Sequence, residues 1–147
     1  MKTLNIKKAH KNTLLFIFII AMMLIFSSCS KKVSFLNSSV VPAARGNVVI
    51  DKDNNENYTI KIDIKNLAEV ERLNPPRKTY VVWLQTSERN YKNLGQIESS
   101  SSRMSSKLDA SFKTVSSFKP SKIMITAEDD GEVSYPSNQI ILTTEQF

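Results

Sequence analysis

Four acidic side chains in close succession, Glu128, Asp129, Asp130 and Glu132, and one lone thiol, Cys29, are the groups whose type and spacing could do chemistry in this chain. Two carboxylates held about 5 to 9 Å apart in a cleft can hydrolyse a glycosidic bond. The same oxygens could contribute to the six to eight ligands, at roughly 2.3 to 2.6 Å, that calcium takes. The acidic run has no EF-hand spacing, stands at the end of an expected strand and contains Gly131, so a solvated turn is its expected role. Histidine occurs once, at His10, within the first 28 residues. With that segment removed, no Ser-His-Asp or Cys-His arrangement and no imidazole zinc site can be assembled. No catalytic residue, metal ligand or cofactor is therefore expected, and the loop Glu128, Asp129, Asp130, Glu132 stands as the one candidate site.

Cys29 has a clearer purpose. A basic stretch over residues 1–13, with Lys2, Lys7, Lys8 and Lys11, leads into an unbroken apolar run over 14–26, then Ser27, Ser28 and Cys29. The 13-residue run would span about 20 Å as a helix, short of a hydrocarbon core of about 30 Å, so a secretory signal is expected rather than a membrane span. Small residues at the two positions before a lone cysteine resemble the bacterial lipobox, although Phe26 stands where Leu is usual. That resemblance implies that the Cys29 sulfur receives a diacylglycerol and that cleavage occurs just before it. An exported chain with one cysteine cannot form an internal disulfide, and acylation accounts for the thiol. The mature protein is expected to be anchored to a membrane by lipid without spanning it.

The 147 residues carry 20 lysines and arginines against 14 acids. The four lysines of the first segment account for most of that excess. The remainder is close to neutral and has no basic stripe of the kind nucleic acid requires, so no nucleic-acid partner is expected. Ser30, Lys31 and Lys32 follow the cysteine, and the polar stretch through Ser39 suits a tether between lipid and domain. The expected organisation is a signal peptide over 1–28, a lipidated Cys29 with tether over 29–44, and one folded domain over 45–147.

From Arg45 onward the chain alternates with period two and carries no convincing 3.6-residue period, which predicts an all-β fold. Over 57–66, Tyr58, Ile60, Ile62 and Ile64 alternate with Thr59, Lys61, Asp63 and Lys65, giving one buried and one wet face. A strand over 47–51 should join it in a hairpin through the polar cluster containing Asp53, Asn54 and Asn55. Residues 67–73 could form a helical turn, ended by Pro75-Pro76. The stretch 79–86, apolar on both faces at its centre, reads as an inner strand. Shorter strands are expected over 93–98, 106–112, 122–128 and 139–144, and the serine-rich stretch around Arg103 and Met104 as a solvated loop. Seven short strands with a tryptophan in the third predict an immunoglobulin-like antiparallel β-sandwich, with a β-barrel of the same strand count as the alternative. Trp83 is expected in the core, and Tyr80, Tyr91 and Tyr135 nearer the surface.

The order of features over 79–142 is familiar. Tyr80-Val81-Val82-Trp83-Leu84 leads to Asn93-Leu94-Gly95, then Phe112 and Phe118, then Ile123-Met124-Ile125-Thr126-Ala127-Glu128, then Gly131, Pro136 and a strand from Gln139 to Leu142. This resembles the extracytoplasmic C-terminal domain of anti-sigma-K factors, although their Glu-Pro-x-Gly-Gly run is replaced here by Glu128-Asp129-Asp130-Gly131-Glu132. The resemblance implies a β-sandwich outside the cytoplasm. The family's regulatory role is not expected, because only about 13 residues precede the apolar run, too few for a sigma-binding domain.

These observations lead to a lipid-anchored, non-enzymatic envelope protein whose sandwich binds an envelope protein or glycan or serves as a structural module. Ser30 lacks acidic character, which favours the outer membrane, facing the periplasm. The alternative is a small glycan hydrolase-like envelope enzyme using Glu128, Asp129 and Asp130, which requires a cleft containing Glu128 or Asp129 beside an aromatic wall.

Overall fold

The computed structural model describes residues 30–97 and 108–147. The expected signal segment, Cys29 and the serine-rich loop lie outside the described residues. Eight strands form two antiparallel four-stranded sheets. The first sheet has the order β1 (Ser30–Ser34), β2 (Arg45–Lys52), β3 (Tyr58–Lys65), β6 (Ala110–Ser116). The second has the order β5 (Tyr91–Ile97), β4 (Thr79–Gln85), β7 (Lys122–Glu128), β8 (Ile140–Thr143). With β2, β3 and β6 in one sheet and β4, β7 and β8 in the other, the chain crosses between the two layers of a β-sandwich.

Alternation decides which face of each strand is buried. Ile60, Ile62 and Ile64 of β3 meet Tyr80, Val82 and Leu84 of β4 and Ile123, Ile125 and Ala127 of β7 in one inter-sheet core. Their period-two spacing places every second side chain inward, and each fully buried isoleucine or leucine contributes about 1.5 to 3 kcal/mol. The β2–β3 hairpin forms as expected. Asp53 Oδ1 accepts hydrogen bonds from the backbone N–H of Asn55 and Asn57, both at 2.8 Å, and Glu56 takes the left-handed conformation at φ 66° that closes the reversal. Residues Val70–Arg72 form a single 3-10 turn, with Leu73 and Leu67 buried beneath it.

Several expectations require correction. The tether expected over 29–44 is not what residues 30–44 form: Ser30–Ser34 is an edge strand paired along its length with β2, and Phe35, Val41 and Ala44 are buried in the core. β1 carries little hydrophobic alternation, since only Val33 is even half-buried, and lysines are a common way to protect a sheet edge. Among the described residues there are thus eight strands and not seven. The strand expected over 106–112 lies at Ala110–Ser116, where Ala110, Phe112, Thr114 and Ser116 pair with Ile64, Ile62, Ile60 and Tyr58. Two of its inward residues are polar and small, so its alternation carries little hydrophobic contrast.

Candidate functional site

The outer face of the second sheet is built from the residues that alternate with the core row. Val81 and Trp83 of β4 and Met124 of β7 form a second, smaller buried cluster, with Val133 packed against it. Trp83 is fully buried, as expected, but it lies on this outer face and not between the sheets. The cover is supplied by the segment joining β7 to β8. Asn93 Nδ2 on β5 donates to the carbonyls of Gly131, at 2.9 Å, and Val133, at 3.0 Å, and so holds the segment across the sheet. Gly131 lies close against the Gln96 side chain, which would have to swing aside to admit a Cβ at this position.

A chain of polar contacts runs beneath this cover. The Trp83 indole N–H donates to Thr126 Oγ1 at 2.8 Å, and Thr126 in turn donates to Glu128 Oε1. Glu128 Oε1 also accepts the backbone N–H of Ser137 at 2.8 Å, and the Ser137 hydroxyl donates to the carbonyl of Ala127 at 3.1 Å. Thr126 and Glu128 are both buried. A buried indole and hydroxyl need such partners, since an unsatisfied buried polar group costs about 1 to 3 kcal/mol. The Glu128 carboxylate therefore serves as the anchor that ties the returning segment to the sheet.

Its acidic neighbours diverge from it. Asp129 forms an ion pair with Arg77, whose Nε donates to Gln139 Oε1 at 2.8 Å, and Gln139 Nε2 reaches the carbonyl of Pro75 at 3.0 Å. Asp130 Oδ1 accepts the backbone N–H of Glu132 at 3.0 Å, a local turn of the kind aspartate commonly caps. Among the described residues, no three histidine, cysteine, aspartate or glutamate side chains are grouped as a metal ion would require. The described surface clefts, along β3 and β6, between β5 and β6 and around Phe147, are lined by none of the four acids. Trp83, linked to Glu128 through Thr126, is sealed under the segment.

The tyrosines divide differently from expectation. Tyr91 and Tyr135 are exposed, but Tyr80 is buried, and its hydroxyl donates to the carbonyl of Ala68 at 3.0 Å. Burial, with a smaller effect from the negative charge of Glu71, pushes the Tyr80 hydroxyl well above its ordinary value, so it stays protonated. Tyr80 shares its parity with Val82 and Leu84, and that alternation is the signal that places it inside. Of the residues that hold the site together, Ser137 and Arg77 carried no signal in the sequence, while Asn93 and Thr126 entered only as members of the motifs that carry the family resemblance and with no role of their own. Thr126 alone had a further signal, being two residues before Glu128 on the same face of a strand.

No family model, curated protein or solved structure matches this chain.

Proposed function

We propose that this chain is a lipid-anchored, non-enzymatic protein of the bacterial cell envelope, whose β-sandwich acts as a binding or structural module. The observation that carries the reading is Cys29, the chain's one cysteine, placed directly after a 13-residue apolar run and two serines. The resemblance to an extracytoplasmic β-domain is consistent with that address. The non-enzymatic part rests on the engagement of the carboxylates: Glu128 on Thr126 and Ser137, Asp129 on Arg77. A hydrolytic pair would need two such groups facing one cleft.

Radiolabelled palmitate should enter the wild-type protein and not the Cys29→Ala variant. Equal labelling of the two, or none in either, would sink the anchor. On this reading the protein sits at the outer membrane, facing the periplasm; density-gradient fractionation of the same cells should then recover it with outer-membrane markers, and recovery only with inner-membrane markers would reverse that assignment. The partner is an envelope protein or glycan, sought by crosslinking and pull-down of the lipidated protein.

A further inference from the structure

One end of the sandwich combines the point where the chain enters with a concentration of lysines and rings. The strand registers put Ser30 of β1, Lys52 of β2, Tyr58 of β3 and Ser116 of β6 at one end of the first sheet and Gln85 of β4 and Lys122 of β7 at one end of the second, and the short connection from Ser116 to Lys122 brings the two ends together. Lys31, Lys52 and Lys119 surround a cleft of about 150 Å3 floored by Tyr58, Pro120 and Phe147. The Lys31 ammonium lies 5.1 Å from the centre of the Phe147 ring, and the Lys92 ammonium 4.5 Å from that of Phe118. Phe118 is 45% exposed and neighbouring Val115 60%. The acids of this end are largely turned to partners of their own: Asp51 to Lys61, Glu56 to Lys52, Asp53 to its own turn and Glu88 to Asn90, while Glu145 is exposed.

We propose that this end of the sandwich rests on the anionic headgroup surface of the bilayer, with Lys31, Lys92 and Lys119 meeting lipid phosphates and Phe118 entering the headgroup layer. The inference rests on the lipid anchor at Cys29 and adds to it the orientation of the domain. Cys29 is followed at once by the first residue of β1. A strand advances only about 3.4 Å per residue, so a lipid on Cys29 keeps this end of the sandwich close to the headgroups. Lysines attract anionic lipid near the surface, and their stems with adjacent aromatic rings suit the boundary between water and acyl chain. The acidic loop containing Asp129, Asp130 and Glu132 leaves β7 from the opposite end.

The test uses the lipidated protein reconstituted in phosphatidylethanolamine vesicles containing phosphatidylglycerol. Acylation blocks the only native thiol, so Phe118→Cys and Tyr135→Cys each accept one thiol-reactive fluorophore, Tyr135 being 80% exposed on the β7–β8 segment. With headgroup-spin-labelled lipid, quenching at position 118 should exceed that at 135 by about threefold or more, and Lys92→Gln with Lys119→Gln should reduce the docked population by about tenfold. Equal quenching at the two positions in vesicles that float with bound protein overturns the orientation alone and turns this end toward a soluble partner. Failure to float overturns the anchor and the orientation together. Undiminished docking in the doubly substituted protein overturns the lysine–phosphate contact.

Discussion

Trp83 is the chain's one tryptophan, and its indole N–H rests on a threonine that itself leans on a buried glutamate. Truncating it leaves a void in the second cluster beneath the covering segment. Trp83→Ala is therefore expected to cost about 3 to 5 kcal/mol of stability, a large share of the roughly 5 to 15 kcal/mol typical of a domain. Trp83→Phe retains most of the apolar contact and loses only the hydrogen bond, at about 1 kcal/mol. Urea unfolding of the two variants checks the ranking, and equal, negligible losses would show that the indole does not support the cover. At this scale the sequence was half legible. Alternation already separated Trp83 from Tyr80, Val82 and Leu84, but nothing in β4 itself announces that a segment some fifty residues later returns to seal the outer face. The acidic run was visible as a cluster, yet its members take different partners: Glu128 faces Thr126 across one strand, whereas Asp129 finds Arg77 from a distant turn.

Among the elements, the β2–β3 hairpin has its reversal organised around one carboxylate, that of Asp53. The backbone N–H of Asn57, followed by the Asn57 side chain and the Asn55 N–H, holds the Asp53 carboxyl below its ordinary value of 3.8. A carboxylate with a depressed native value stabilises fully above the unfolded value, and that contribution disappears as pH falls through the native one. Glu56, lowered by its hydrogen bond and charge pairing with Lys52, acts in the same direction. Melting temperature should thus be insensitive to Asp53 ionisation between pH 7 and about 5 and fall more steeply in acid for wild type than for Asp53→Asn. Identical acid slopes for the two proteins would remove Asp53 as the determinant. This hairpin was readable because its strands alternate strongly and its reversal is dense in aspartate and asparagine. β1 was not, since an edge strand guarded by lysines looks like a linker, and its membership in the sheet is set by the hydrogen-bonding edge of β2 rather than by its own side chains.

Across the whole molecule, one inter-sheet core draws side chains from both layers, and the smaller Trp83 cluster shares β4 and β7 with it. Shared strands imply shared unfolding. Tryptophan fluorescence, which reports the outer-face cluster, and far-ultraviolet dichroism, which reports both sheets, should follow one coincident thermal transition. An earlier fluorescence transition would mark the covering segment as a separately melting unit. The all-β class and the two-layer architecture were legible in the period-two pattern, but the closure of one sheet edge against the other was not. After β1 ends, Phe35 bridges to Thr144, and Leu36 donates its N–H to the carbonyl of Thr143 at 2.8 Å. The first strand of one layer is in this way fastened to the last strand of the other. Mechanically, this arrangement acts as a strap. Tension applied at Ser30 along the axis of β1 loads its five residue pairs with β2 together, in shear, and cannot unzip them one by one. The bridge at Phe35 then passes part of that load into the second sheet, so a pull between the entry of the chain and the far loops should be borne by both layers at once.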